Sequence, residues 1–170
     1  MIELLILHLL NKYQLTMYGV QKKISEEFAI YTKPGFGTIK PALVRLESKG
    51  FVISRKSISE GGRVSIFYAI TPSGMDELKR LIVSRTSDNP VKFLNTARIK
   101  LICSSLLSNE DQVKLIEQLS LKANSIYAKS KKLLDNTEND FYYNMVTDNI
   151  VQEYKNFISL LEGMKNGCTG

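Results

Sequence analysis

The sequence predicts a mainly α-helical protein with one small β-hairpin in its first half and helix throughout its second. Three observations predict it. Apolar residues recur at helical spacing over most of the 170 positions. One segment, Val64 to Ile70, alternates instead with period two. A short basic helix, Thr38 to Lys49, runs without a linker into that hairpin, whose tip reads Glu60-Gly61-Gly62-Arg63.

The elements follow in order. Ile2, Leu5, Ile6 and Leu9 define a first helix that stops at Asn11. Leu15-Thr16 reads as a turn into a second helix, where Val20, Ile24 and Phe28 recur every four residues. Ala29 to Gly37 holds Pro34, Gly35 and Gly37 and reads as a turn. Thr38 is the expected N-cap of the third helix. Pro41 then falls in the first turn, where its missing N–H removes no intrahelical bond. Ile39, Leu43 and Leu46 form the buried stripe, while Pro41, Val44, Arg45 and Ser48 point away from it. Gly50 is the expected C-terminal cap. Phe51 to Ser57 and Val64 to Ile70 read as the two strands, the second half-buried, with Gly61-Gly62 supplying the tight turn. Thr71-Pro72 is a cap followed by proline at the first helical position, and that helix runs to about Arg85.

Thr86 to Pro90 is polar, turn-rich and ends in proline, which sets a boundary between domains at 1–85 and 91–165. Beyond it a helix over 91–107 carries Leu94, Ala97, Leu101 and Cys103. Ser108-Asn109-Glu110-Asp111 starts another, to about 134, with acids at the positive end of its dipole. Asp135 to Asn139 is a polar break. The last helix places Tyr143, Val146, Ile150, Tyr154, Phe157 and Leu161 on one stripe. Helices this long need one another or a second chain to bury such faces. The six stripe residues are therefore the expected dimerisation seam, and packing onto the first half is the alternative.

The charge is unevenly placed. Residues 1–85 hold 13 Lys and Arg against 7 Asp and Glu, whereas residues 86–170 hold ten of each. The whole net charge of +6 thus belongs to the half with the hairpin, as expected when one half meets a polyanion. Two cysteines, Cys103 and Cys168, form no CxxC or Cys/His cluster, so no metal site and no cofactor are expected, and a reduced, cytoplasmic setting fits. Met1 to Leu10 is too short to span a bilayer and lacks the features of a signal peptide. His8 is the lone histidine and reads as a core-edge residue. No Ser/His/Asp set, paired-carboxylate site, P-loop or GxGxxG is present, which argues against an enzyme.

Helix, hairpin and basic tip in one positively charged half make a winged helix-turn-helix, and an all-helical dimerisation domain follows it. A helix in the major groove reads base edges with its exposed side chains while nearby cations hold phosphates. Lys40 and Arg45 are the cations on the exposed side of the third helix, with Thr38 and Pro41 beside them. Lys33 precedes that helix, Arg55 lies on the first strand, Arg63 sits at the hairpin tip, and Tyr18 opens the second helix. The same face also suits an acidic protein partner, and that alternative stays open.

The segments GTIKPALVRLESKG and GGRVSIFYAITPSG resemble the PadR family of bacterial transcriptional regulators, over about residues 2–85. The later part resembles the helical C-terminal region of the longer PadR branch by length and pattern. The resemblance implies a homodimer bound to an inverted-repeat operator, usually as a repressor, and in many members release by a small molecule. It implies DNA contacts at Tyr18, Thr38, Lys40, Pro41, Arg45 and Arg63. Two departures stand out. Lys40 replaces the usual tyrosine of the recognition helix, and Tyr18 keeps its place while its usual glycine and glutamate neighbours are missing. Tyr127, Tyr142, Tyr143 and Tyr154 are available either to an aromatic effector or to the core.

Overall fold

A computed structural model describes residues 1–58, 62, 64–135 and 140–169. Within them the chain forms α1 (Ile2–Lys12), β1 (Leu15–Thr16), α2 (Met17–Glu27), α3 (Phe36–Ser48), β2 (Val52–Ile58), β3 (Val64–Ile70), α4 (Pro72–Val83), α5 (Pro90–Cys103), a 3-10 turn (Ser104–Leu106), α6 (Asn109–Leu134) and α7 (Phe141–Thr169). Two compact units result, the first comprising Met1–Ser87 with Val91–Cys103, the second Asp88–Pro90 with Ser104–Gly170.

The first unit is a winged helix-turn-helix. Its core is α1, which is apolar almost all round and buried from Leu4 to Leu10. Around it pack Val20, Ile24 and Phe28 from the α2 region, Ile39, Ala42, Leu43 and Leu46 from α3, and Leu78 and Ile82 from α4. His8 is buried here with its ring edge on Phe28, and neither ring nitrogen has a hydrogen-bond partner. Burial holds its pKa below the ordinary value.

The sheet has three strands, not the two expected, in the order β1-β3-β2 and antiparallel throughout. Leu15 and Thr16 pair with Tyr68 and Phe67, a ladder that two residues cannot announce in sequence. Thr16 also caps α2, its hydroxyl accepting from the Gly19 N–H at 3.1 Å. The expected half-burial of β3 holds only toward its end, because Val64, Ile66 and Phe67 are exposed and the hairpin projects beyond the core. Gly62 has φ +76°, as a tight hairpin turn requires. The other tip residues, Glu60, Gly61 and Arg63, lie outside the described residues.

The boundary expected at 86–90 shifts. α5 from Val91 on groups with the first unit, and its Phe93, Leu94, Ala97 and Ile99 are buried. Lys100 is buried with them and donates from Nζ to the Ser84 carbonyl and, at 3.1 Å, to the Ser84 hydroxyl. With desolvation uncompensated by any carboxylate, its pKa falls to about 8.

The second unit is an antiparallel helical hairpin. Ser108 caps α6, accepting from the Asp111 N–H at 3.2 Å. Leu115, Ile116, Leu119 and Ala123 of α6 and Val151, Tyr154, Phe157 and Leu161 of α7 fill its interior. Lys165 to Glu117 at 2.7 Å and Cys168 to Gln112 at 3.3 Å fix the antiparallel sense. Tyr154 closes the other end by donating to the Pro90 carbonyl at 3.0 Å. No helix among the described residues is long and apolar enough to cross a membrane.

Candidate nucleic-acid interface

The exposed face of α3 is fixed at both ends by local chemistry. The helix starts two residues before the expected Thr38 cap, with Gly35 as N-cap and Thr38 and Ile39 donating to its carbonyl at 3.0 and 3.2 Å. Thr38 is thus inside the first turn, and Pro41 is inside the helix proper, unable to donate to the Gly37 carbonyl. At the other end Gly50 takes φ +73°, Gly50 N–H donates to Glu47 and Phe51 N–H to Leu46, both at 2.9 Å. That paired arrangement is a Schellman stop, and it turns the chain directly into β2.

The same junction ties the hairpin to α3. Thr71 and Ser73 hydroxyls donate to the Gly50 carbonyl at 2.7 and 3.0 Å, and the Thr71 N–H donates to the Phe51 carbonyl at 3.0 Å. Thr71 Oγ1 also accepts from the Gly74 N–H at 3.0 Å, capping α4. Gly74 is packed so tightly on the Phe51 carbonyl that a Cβ there would stand 2.0 Å from the oxygen. Farther along, Ser54 of β2 donates to the Glu47 carboxylate. The wing root and the end of α3 are therefore one hydrogen-bonded knot.

On the outward face, Lys40, Pro41, Val44, Arg45 and Ser48 are all exposed, opposite the buried Ile39, Leu43 and Leu46. Thr38 is exposed beside them. Lys33 is exposed in the preceding loop, and Arg55 and Lys56 are exposed on β2. Arg55 shares a sheet face with Phe67, its cross-strand partner. Arg45 is exposed but engaged, its Nε donating to Glu3 of α1 at 2.9 Å. Tyr18 is 65% exposed at the start of α2 and stacks on Phe36, with ring centroids 6.5 Å apart. Of the expected contact residues, only Arg63 lies outside the described ones.

Sequence reasoning missed Phe36 and undervalued Val44. Phe36 was hidden because α3 was expected to start after it. The signal was available in Gly35, which serves as an N-cap through its backbone and offers no side-chain oxygen to notice.

Residues 6–80, which carry all of this interface apart from Glu3, match the model of the transcriptional regulator PadR-like family. This segment is PadR-like. That family is one of regulators, not enzymes, as the lack of a catalytic motif led one to expect. The negative transcriptional regulator PadR of Bacillus subtilis is 25% identical over 169 residues, covering 94% of this chain and 92% of its own. Its crystal structure with operator DNA covers 98% of both chains at 23% identity, with a TM-score of 0.46. It has also been crystallised with p-coumaric acid, at 24% identity, 99% coverage of both chains and a TM-score of 0.43. A PadR family regulator from Clostridium difficile R20291 is 34% identical over 46% of this chain and 80% of its own, with a TM-score of 0.40.

The six residues expected on a dimer seam divide into two groups. Tyr154, Phe157 and Leu161 are buried inside the helical hairpin, because α6 covers that side of α7 and leaves them no surface to offer. Tyr143, Val146 and Ile150 remain exposed, as do Phe141, Tyr142 and Met145 near them. Tyr127 is half-buried on α6.

Proposed function

We propose that this PadR-like regulator binds an inverted-repeat operator as a homodimer, acts as a cytoplasmic repressor, and releases DNA when a small molecule binds. One observation carries the DNA reading. The stripe of α3 opposite the core is exposed over its whole length, flanked by Lys40 and Arg45, in the half of the chain that holds the entire +6 charge. In this reading Met1–Cys103 is the DNA-binding domain. Lys40 takes a base edge or phosphate in the major groove, Lys33, Thr38 and Arg45 hold phosphates, and Arg55 and Arg63 do so from the wing. The start of α3 has no side-chain cap, so its N–H groups favour a phosphate too.

Two copies of α3 must reach successive major grooves, roughly 34–36 Å apart. The second unit supplies the pairing. A solvent-exposed run of Phe141, Tyr142, Tyr143, Met145, Val146 and Ile150 is more apolar surface than one helix normally leaves bare, and a second copy covers it.

A fluorescence-anisotropy titration tests the reading. The fragment just upstream of the protein's own gene is compared with bulk DNA at several salt concentrations. Tight binding to the fragment alone, falling steeply with salt, is expected. A protein with no preference for any genomic fragment overturns it. p-Coumaric acid, the ligand of the crystallised B. subtilis protein, is the first compound to add to the preformed complex.

A further inference from the structure

Two partly exposed apolar side chains stand along α3, one at the edge of its buried face and one on its outward side. Phe36 is 42% exposed and Val44 is 57% exposed, with Lys40 midway between them at i+4 from the first and i−4 from the second. Four-residue steps put the three side chains in one row, each about 6 Å along the axis from the next. Tyr18 stacks on Phe36 and holds its ring at the helix entrance, although Tyr18 is itself mostly exposed. Gly35 and Gly37 flank Phe36, and a Cβ at either would meet nothing within 4 Å. Packing does not require glycine there. Bare backbone on both sides of the ring leaves room for a bulky partner to come close.

We infer that the Phe36–Lys40–Val44 row reads thymine 5-methyl groups through Phe36 and Val44, on either side of a guanine taken by Lys40. The inference rests on the operator-binding reading above and deepens it. An apolar side chain in the major groove has one apolar group to meet, the C5-methyl of thymine. A lysine between two such contacts takes the acceptor edge of guanine, O6 and N7. DNA is the occupant because the apolar row is flanked by cations and lies in the half with net charge +6. Lys40 thereby gains a role that the usual aromatic at its position does not have.

The test deletes the methyl and nothing else. Single thymines of the bound duplex are replaced by deoxyuridine, which keeps every hydrogen-bonding edge. The full-length wild type is expected to lose about three- to fourfold in affinity at each contacted thymine, the worth of one buried methyl. Phe36→Ala is expected to bind thymine and uracil duplexes equally at one position, and Val44→Ala at another. Neither variant should change the salt slope, because neither removes a cation. Both side chains are exposed, so melting curves should match the wild type. Wild-type protein that binds the duplex specifically but ignores every methyl overturns the inference and leaves the operator reading standing. So do variants that keep the wild-type discrimination at every position. Wild-type protein without preference for any duplex overturns the operator reading itself.

Discussion

Among the described glycines, Gly74 is the one whose replacement by alanine should damage the first unit most. The added Cβ would stand 2.0 Å from the Phe51 carbonyl oxygen and 2.8 Å from Ile70 Cγ1. Unstrained non-bonded contacts begin at roughly 3.5 Å, so the start of α4 must retreat by about 1.5 Å. The obstacle is a backbone carbonyl and not the end of a flexible side chain, so it cannot swing aside. Retreat stretches the Thr71–Phe51 backbone bond of 3.0 Å and the hydroxyl contacts on Gly50 that anchor the wing root. Overpacking of this kind costs about 1–3 kcal/mol, and one lost hydrogen bond adds about 0.5–1.5 kcal/mol. Alanine in a helix returns up to about 1 kcal/mol. The net is ~2–3 kcal/mol, or on the order of 10–20 °C in the melting of a unit this size. Differential scanning calorimetry of the full chain measures it. Gly163→Ala in α7 is the matched control, because its Cβ would meet nothing within 4 Å. That variant should gain up to about 1 kcal/mol from the same chemical change. A Gly74→Ala protein that melts with the wild type refutes the reasoning.

Further outcomes follow from the same structure. Lys100 has a folded pKa of about 8 against the ordinary 10.5, so between those values the unfolded chain binds more protons and stability rises with pH. Urea midpoints at pH 7.5 and 9.5 should show a gain of about 1–2 kcal/mol that Lys100→Met abolishes. His8 is depressed too, so stability should fall as pH drops through and below 6.5, and His8→Leu should flatten that fall in the same assay. Lys40→Ala should weaken or relax operator binding with the melting curve unchanged, as read by anisotropy; unchanged affinity would remove Lys40 from the site. Ile150→Asp should yield a folded monomer in sedimentation, whereas Tyr154→Asp should unfold the helical hairpin, because the first side chain is exposed and the second is buried.

The parts of the fold that were legible in sequence are those set by neighbours along the chain. Gly50 stopped α3, Thr71-Pro72 started α4, and Ile39, Leu43 and Leu46 faced inward, each from contacts within one or two turns. Three features depended on distant partners and were not legible. β1 exists only because Leu15 and Thr16 meet Tyr68 and Phe67, fifty residues on. α5 groups with the first unit although the composition changes before it, and nothing in the local sequence of Pro90–Cys103 announces that. Along α7 the periodicity showed two apolar sides merged into one stripe, and only the position of α6 separates Tyr154, Phe157 and Leu161 from Tyr143, Val146 and Ile150. For the candidate interface, exposed cations were legible because charge marks its own solvent face. Phe36 was not, because a strong cap residue, Thr38, stood three positions after the weaker-looking Gly35 that does the capping.

In the proposed complex, where Arg45 holds a phosphate, its contact with Glu3 makes the protein its own competitor for DNA. Glu3 already occupies the guanidinium with one carboxylate oxygen at 2.9 Å, as a phosphate would, and it is covalently attached, so it is present at a fixed high local concentration. A random stretch of duplex has to displace it and gains little, since one anion replaces another. A duplex whose base edges also satisfy the rest of α3 gains from those contacts, and the exchange costs it the same. The pair thus lowers affinity for all DNA by a similar small factor, which leaves the preference for the right sequence unchanged but shortens every stay on a wrong one. Removing the carboxylate would make a tighter binder and a poorer search engine, one that spends longer on every wrong site before reaching the right one.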